Sequence, residues 1–261
     1  MSQALWVGKT GLEAQHNRLS VISNNLANAS TTGFKRDRIL FEDLLYQNVR
    51  HAGGRTSQDT ELPSGLSLGT GVRTVATQKL HEQGNVLQTQ NTYDMAIQGY
   101  GYFQVLHPNG NIAYSRNGEF HINGEGQIVT SSGYKLQPEI TVPPNAMTVS
   151  IGTDGTVSIT TPGNPQLTNI GQITMAMFQN PAGLNPVGQN LLMETSASGA
   201  PQVGVPGANG MGTIHQGSLE GSNVNVVEEL VSMIETQRAY EMNSKAISTM
   251  DQMLQYLNNN T

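Results

Sequence analysis

Both ends of the chain carry an apolar residue at every seventh position, whereas the middle of the chain does not. Near the amino terminus this repeat falls on Leu5, Leu12, Leu19 and Leu26, and near the carboxyl terminus on Val226, Met233, Tyr240, Ile247 and Leu254. A seven-residue apolar repeat keeps one stripe of an α-helix facing a partner. We therefore expect a helix over residues 3–29 and a second helix over residues 226–258.

The companion stripes beside these repeats are weak. Ile22 and Leu230 belong to them, but most of the other companion positions are polar or small. Gly8 and Gly11 each cost up to about 1 kcal/mol relative to Ala inside a helix, so the first helix should be marginal alone. Such stripes either cover the core of their own domain or pack between subunits. Their terminal position and polar flanks, together with the short supply of apolar residues, add weight to packing between subunits, and both arrangements stay open at this point.

Both helices have recognisable end signals. Ser-Thr-Thr-Gly at residues 30–33 should stop the first helix, with Gly33 in a left-handed cap. Asn225 followed three residues later by Glu228 is a capping-box arrangement, which predicts the start of the second helix.

Between the helices the dominant signal is the β-hairpin. Asn117-Gly118 separates alternating residues 112–116 from 120–122, and residues 149–151 and 157–159 flank Gly-Thr-Asp-Gly in the same way. Asn109-Gly110 and Asn123-Gly124 add further turns. Asn-Gly favours the tight turns that join antiparallel strands.

The segment before the hairpins is harder to assign. Residues 34–46 fit either a short amphipathic helix or the entry to a sheet. Residues 47–71 contain five glycines and many polar side chains without clean periodicity. A structureless stretch of this length is uncommon inside a compact domain, so it is either disordered or an extended arm that docks on another surface.

Composition excludes several classes of protein. The net charge is −6 with 13 basic residues, so no basic stripe for nucleic acid is present. No apolar run is long enough to insert into a membrane, and the start of the chain lacks the pattern of a cleavable export signal. Leu, Ile, Val and Phe make up about 23% of the residues, only slightly above the roughly 20% typical of disordered chains. Part of the chain should therefore order only against neighbours.

Catalytic and metal-binding patterns are weak. Gly65-Leu-Ser67-Leu-Gly69 matches a nucleophile motif as a string, but that motif needs a strand, a sharp elbow and a helix. The six histidines lack the spacing of a zinc site, and the chain has no cysteine. We expect no catalytic residue, no metal site and no cofactor.

These observations predict an α+β protein in which terminal helices pair as a coiled coil beside a β-rich hairpin domain. The expected division is an N-terminal helix in 1–33, a connecting segment in 34–71 with an arm at about 46–65, a β-rich domain in 72–219, and a C-terminal helix in 220–261.

Several strings resemble one family along almost the whole chain, the bacterial flagellar rod and hook proteins. They are SNNLANASTTGFKR at 23–36, DMAIQGYGYFQV at 94–105, YSRNGEFHINGEGQIVTSSGYKLQP at 114–138, and EGSNVNVVEELVSMIETQRAYEMNSKAISTMDQML at 220–254. The signature positions are Asn24, Asn25, Leu26, Ala27, Asn28, Gly33, Phe34, Asn223, Val224, Asn225, Arg238 and Tyr240. FEDLLYQ at 41–47 and ELPSGLSLGTGVR at 61–73 look most like the distal rod members of the family.

The resemblance implies a structural subunit that polymerises helically with itself into a stiff shaft, which transmits torque from motor to hook across the periplasm. It implies export through the flagellar export apparatus without signal cleavage. It also implies contacts with proximal rod proteins, the hook protein, the rod cap and the surrounding P and L ring proteins. The paired terminal helices would form an inner tube, and the arm would bridge neighbouring subunits.

The apolar stripes and the apolar side chains of the arm supply the expected contact residues. The expected assembly residues are Leu5, Leu12, Leu19, Ile22, Leu26, Val226, Leu230, Met233, Tyr240, Ile247 and Leu254. The expected arm anchors are Leu62, Pro63, Leu66 and Leu68.

Two other interpretations remain open at this point. One is a proximal rod or hook subunit of the same family. The other is a secreted β-rich binding protein or glycan hydrolase, which would need converging acids among Glu119, Glu125, Glu139 and Asp154.

Overall fold

The chain folds into two compact units. The computed structural model describes residues 3–51, 53, 63–162 and 164–259. Unit 1 comprises Met1–Ala27, Asp37–Gln78 and Asn225–Thr261, and unit 2 comprises Asn28–Arg36 and Lys79–Val224. Both terminal segments thus belong to unit 1, while most of the strand-rich middle belongs to unit 2.

Unit 1 contains both predicted helices. Its elements are α1 (Gln3–Ala27), β1 (Asp37–Asp43), β2 (Gln47–Arg50), β3 (Leu66–Leu68), β4 (Val72–Lys79) and α2 (Val226–Asn259). The two helices together with the strand-rich middle confirm the α+β class. Neither helix, over its described residues, is long and apolar enough to cross a membrane.

The helix ends follow the sequence signals only in part. Asn225 caps α2, because its Oδ1 accepts hydrogen bonds from the backbone N–H of Val227 at 3.1 Å and of Glu228 at 3.5 Å. The prediction for Gly33 as the cap of the first helix is wrong, since α1 already ends at Ala27. Gly33 nevertheless has a positive φ of +69°, and the position also requires glycine because of its close packing. A side chain there would meet the backbone of Asn117 within unit 2.

The segment after α1 enters a sheet rather than a helix. β1 pairs with β4, and β2 pairs with β3 in a separate two-stranded ribbon. The register of the ribbon places Gln47 opposite Leu68 and Arg50 opposite Leu66, with a bulge between Asn48 and Arg50. The predicted arm is therefore built on paired strands, and its residues 52 and 54–62 lie outside the described part of the chain.

Unit 2 is composed mainly of short antiparallel strands. They are β5 (Val86–Gln88), β6 (Met95–Gln98), β7 (Tyr102–Leu106), β8 (Ile112–Ser115), β9 (Phe120–Ile122), β10 (Ile128–Thr130), β11 (Leu136–Gln137), β12 (Thr148–Ile151), β13 (Thr156–Thr161), β14 (Asn164–Gln172), β15 (Met175–Met177), β16 (Asn185–Gly188), β17 (Leu191–Met193), β18 (Gln202–Gly204), β19 (Thr213–Gln216) and β20 (Ser218–Glu220), with a 3-10 helix at Pro181–Gly183.

The central strands of the largest sheet of unit 2 are buried on both faces. Its order is β16-β17-β8-β7-β15-β18, with β11 also paired to β7. Successive side chains of a strand point to opposite faces, and Tyr102 and Phe103 accordingly enter two different apolar clusters. In one cluster Phe103 packs edge-on against Phe120 at 5.2 Å between ring centroids, and in the other Tyr114 packs against Phe178 at 4.7 Å.

The predicted hairpins are partly present. β12 and β13 pair across Gly-Thr-Asp-Gly, β7 and β8 pair across Asn109-Gly110, and β9 and β10 pair across the turn that contains Asn123-Gly124. The hairpin across Asn117-Gly118 is wrong, because β8 pairs with β7 and β17 instead of β9. Gly118 lies directly against the carbonyl of Met95, a close approach that a side chain would block.

Candidate interaction surfaces

The two helices of unit 1 run antiparallel and touch along their length. A Cβ atom on Gly8 would lie 2.8 Å from Ile247, and one on Gly11 would lie 3.2 Å from Asn243. Near the other end of the pair, Asn25 donates a hydrogen bond to Glu229 at 3.3 Å. The glycines that weaken α1 as an isolated helix thus allow close approach to α2.

The side of α2 that faces α1 is mostly polar or small. Its less exposed residues are Glu229, Ser232, Met233, Thr236, Ala239, Asn243, Ile247 and Met250. Of the predicted α2 stripe, only Met233 and Ile247 belong to this set. Val226, Tyr240 and Leu254 are 40–45% exposed. An exact seven-residue repeat drifts about 20° per heptad around a straight helix, so a stripe of four heptads cannot stay on one contact face.

The predicted α1 stripe is also only partly covered. Leu5, Leu12, Leu19 and Leu26 are of intermediate exposure, and Ile22 is buried. Leu19 and Tyr240 meet in a groove of about 340 Å³ that runs between the helices. This groove is lined by Gln15, His16, Leu19, Thr236, Gln237, Tyr240 and Glu241.

A compact apolar face lies on the opposite side of α2. Val227, Leu230, Val231 and Ile234 are 43–70% exposed, and their spacing of i, i+3, i+4 and i+7 aligns them on one side of a helix. At 100° per residue this side is about 180° from Asn243, which faces α1. We call these four residues the outer face of α2. An exposed contiguous apolar surface of this kind is typical of an interaction site.

The ribbon of β2 and β3 is a second exposed surface in unit 1. Leu45 is 91% exposed, Val49 is 56% exposed and Leu66 is 49% exposed. Of the other expected arm anchors, Leu68 and Pro63 are exposed, and Leu62 lies outside the described residues. A two-stranded ribbon without a covering layer is marginally stable in water. Among the described residues, its apolar side chains are therefore accessible to a partner surface.

Two signature asparagines act as clamps on backbone groups. Asn25 is buried, and its amide donates to the carbonyl of Asp37 at 2.9 Å while its Oδ1 accepts from the N–H of Asp37 at 2.8 Å. Asn223, in unit 2, accepts from the N–H of Arg36 at 2.7 Å and donates to the carbonyl of Leu80 at 2.9 Å. Each amide thus joins segments that are distant in sequence.

The other signature residues have varied environments. Phe34 is buried under the Lys79 ammonium, which lies 5.1 Å from the ring centroid. Asn28 accepts a hydrogen bond from the Thr31 N–H at 3.1 Å. Asn24, Ala27, Asn225, Arg238 and Tyr240 are exposed, whereas Leu26 and Val224 are of intermediate exposure.

A buried ion cluster lies inside unit 2 and is centred on Glu220. This carboxylate is fully buried, and it accepts hydrogen bonds from Lys35 at 2.6 Å, from Arg116 at 3.1 Å and from the Gly84 N–H at 2.9 Å. The Lys35 and Arg116 side chains are 4% and 5% exposed. We call Lys35, Arg116 and Glu220 the Glu220 cluster. Two cations share one anion, so removal of the anion would leave buried charge without compensation.

Burial lowers the pKa of Lys35 in this cluster and the pKa of the neighbouring His81. Burial is the largest cause that lowers the pKa of Lys35, and the Glu220 carboxylate opposes the shift. Burial, followed by the Lys35 and Arg116 charges, lowers the pKa of His81 to about 4. The His81 Nδ1 lies 2.8 Å from the Tyr102 hydroxyl. His81 is therefore neutral near pH 7.

Sequence reasoning missed the Glu220 cluster. Lys35 is 5% exposed although it stands in the chain beside Arg36 and close to Arg38, a basic stretch that gives no local sign of a buried ion pair. The available signal was the position of Glu220 and Lys35 inside two recognised strings, but pairing across 185 residues has no local pattern.

Three of the acids considered for glycan hydrolysis have separate partners, and Glu125 lines a pocket without the other three. Glu139 lies 3.7 Å from Lys135, Glu119 lies 3.9 Å from His121, and Asp154 accepts hydrogen bonds from Thr156. Ser67 lies on β3 and donates a hydrogen bond to Asn48 at 2.6 Å. Within the described ranges, no group of three or more His, Cys, Asp or Glu residues has the arrangement of a metal site.

Comparison with protein families defines the class. Residues 5–35 match the flagella basal body rod protein model, residues 96–159 match the flagellar hook protein FlgE/F/G D1 domain, and residues 215–260 match the flagellar basal body rod FlgEFG protein C-terminal model. These matches cover both helical ends and part of the strand-rich middle. They place the chain in the class of flagellar rod and hook proteins.

Relatives that match the chain over nearly its full length narrow this class to one family. The chain is 56% identical to the flagellar basal-body rod protein FlgG of Buchnera aphidicola subsp. Schizaphis graminum, with 98% of this chain and 99% of the relative covered. It is 47% identical to the Caulobacter vibrioides protein of the same name, covering 97% of each chain, and 38% identical to that of Bacillus subtilis, covering 99% of each. The chain belongs to the FlgG family of flagellar basal-body rod proteins.

Proposed function

We propose that the chain is a structural subunit of the distal rod, which polymerises helically into a rigid shaft that transmits torque from motor to hook. The observation that carries this proposal is the apolar surface that unit 1 leaves exposed. Among the described residues of unit 1, no layer covers the outer face of α2 or the ribbon of β2 and β3. Full-length relatives named as basal-body rod proteins support the same role.

The helix pair would supply the inner contacts of this polymer. Val227, Leu230, Val231 and Ile234 would pack against a second copy, while the polar side of α2 remains against α1. The predicted coiled coil would form between the terminal helices in the assembled tube. The exposed stripe residues Val226, Tyr240 and Leu254 would then gain contacts that they lack in one subunit.

The arm would stiffen the shaft by bridging neighbours. Val49, Leu66 and Leu68 give the ribbon apolar anchors, and a strut between subunits resists the sliding that lets a tube bend. The subunit would act in the basal-body rod, where it would meet proximal rod proteins, the hook protein, the rod cap and the P and L ring proteins. It would reach this site through the flagellar export apparatus.

Replacement of one outer-face residue tests the proposal. Ile234→Asp should prevent rod assembly and motility in a strain that lacks its own copy, because assembly would bury the new carboxylate without a partner. Ser244→Asp is the matched control, since Ser244 is an exposed polar residue of the same helix. Electron microscopy of isolated basal bodies and swimming in soft agar provide the readouts. Normal rods built from the Ile234→Asp subunit would show that this face is not a polymer contact.

A further inference from the structure

The root of the arm is attached to α1 within unit 1. We define the root as residues 44–46 and 69–72, where the chain enters and leaves the ribbon. The Leu44 N–H donates to the Gly71 carbonyl at 2.9 Å, and the Thr70 hydroxyl donates to the Leu45 carbonyl at 2.7 Å. These bonds hold the two sides of the root together.

Side chains of α1 reach the same root. Gln3 donates to the Gly69 carbonyl at 3.3 Å, and the Thr10 hydroxyl oxygen lies 3.4 Å from the Val72 nitrogen. Farther along α1, Asn17 donates to the Thr74 hydroxyl at 3.2 Å. Contacts of α1 with residues 69–74 therefore continue over several helical turns, so the root cannot pivot freely on the helix.

Gly71 lies against α1 in a position that leaves no room for a side chain. Its φ of +117° is unfavourable for residues with a side chain. A Cβ atom there would overlap the Thr10 hydroxyl oxygen and lie 3.2 Å from the Thr10 Cβ. Thr10 is itself fixed, because its hydroxyl donates to the Val7 carbonyl at 2.9 Å in the preceding turn of α1.

We propose that Gly71 is a positioning residue that holds the arm to α1, so that the arm moves with the helix as one stiff piece. The inference rests on the proposed role of the arm as a strut. A strut transmits load only if its base is fixed, and the root packs on α1 where Gly71 leaves no room for a Cβ atom beside Thr10. Residues other than glycine at position 71 would push the root away from α1.

Hydrogen exchange on assembled polymers, read by mass spectrometry, tests the attachment. In Gly71→Ala the Leu44 and Val72 amides should exchange at least about tenfold faster, because the strain of such a substitution is of the order that opens a local bond. Gly71→Ala with Thr10→Ala should recover part of the protection at Leu44, since the overlapping hydroxyl is gone, whereas the Val72 amide loses its acceptor and should stay unprotected. Gly71→Ala with Thr10→Ser is the matched control. This variant keeps the hydroxyl, so its Leu44 amide should exchange as fast as in Gly71→Ala alone.

The outcomes separate the attachment from the function of the arm. Wild-type protection of the root in Gly71→Ala, or equal rescue by Thr10→Ala and Thr10→Ser, would overturn the proposal. Loss of protection together with curved filaments in electron micrographs supports both the attachment and the strut. Loss of protection with straight filaments supports the attachment and contradicts the strut.

A milder variant covers the case in which Gly71→Ala does not assemble. Thr10→Val keeps the volume of the side chain and removes only the hydroxyl next to Val72. It should assemble and show faster exchange at Val72. Unchanged exchange at Val72 in this variant would overturn the proposal.

Discussion

Replacement of Glu220 by Gln should strongly destabilise unit 2. The change removes the only carboxylate of the Glu220 cluster and leaves the Lys35 and Arg116 charges buried at 4% and 5% exposure. Breaking a buried ion pair from one side costs about 3–5 kcal/mol, and domains are stable by only about 5–15 kcal/mol. For a unit of this size, about 2–4 °C of Tm is lost per kcal/mol, which gives a fall of about 10 °C.

Near-ultraviolet circular dichroism during heating would measure this fall. Tyr102 and Tyr114 lie in the core of unit 2, whereas Trp6, the single tryptophan, lies in unit 1. The tyrosine transition should shift and the tryptophan fluorescence transition should not. Glu119→Gln is the control, because the Glu119 side chain is 43% exposed and surface changes of this kind stay within about 0.5 kcal/mol. A tyrosine transition within about 2 °C of the wild type would refute the argument.

The free energy of unfolding of Glu220→Gln should also depend on pH. Lys35 has a pKa below 10.5 in the folded protein, and loss of Glu220 should lower this pKa further. Between the folded and unfolded pKa values the unfolded chain binds more protons, so the free energy of unfolding rises with pH. Glu220→Gln should therefore regain stability as the pH is raised toward 10.5. A further loss of stability over that range would contradict the assignment of buried charge.

Three further predictions concern other parts of the chain. As pH falls from 6.5 toward the His81 pKa of about 4, the unfolded chain takes up a proton that folded unit 2 excludes. The free energy of unfolding should fall by at most about 3 kcal/mol, and His81→Gln should flatten this slope in urea titrations. In dilute monomer, amides of α1 and α2 should exchange much faster than those of β7, because the polar helix contact is weak; strong protection would contradict this. Deletion of residues 47–63 should leave polymers that are curved or flexible in electron micrographs, and straight tubes of wild-type stiffness would contradict a bridging arm.

Sequence patterns correctly predicted the elements that depend on residues close together in the chain. The Asn225 cap and the extent of α2 followed from side chains within a few residues of each other. Turn dipeptides located the β7–β8 and β12–β13 hairpins for the same reason. Asn117-Gly118 failed because tertiary contact with Met95, rather than turn chemistry, sets its conformation.

The candidate surfaces were less predictable. A heptad repeat correctly indicated helices with apolar stripes, but it could not tell which stripe faces α1. The contact side uses Gly8, Gly11 and Asn243, which carry little hydrophobic signal. The outer face of α2 was present in the sequence as an i, i+3, i+4, i+7 pattern and was obscured by the longer repeat. The Glu220 cluster depends on tertiary pairing, which local periodicity does not encode.

The position of Glu220 in the chain also limits how fast unit 2 folds. Its three partners lie 185, 136 and 104 residues away in sequence, and contacts between distant residues form late because long loops must close first. A chain that becomes available from its amino terminus offers Lys35 and Arg116 to solvent long before their carboxylate exists. Until then, burial of these two cations is unfavourable. Completion of the strand-rich unit therefore waits for the segment around residue 220, and the unit stays open while most of the chain is already present.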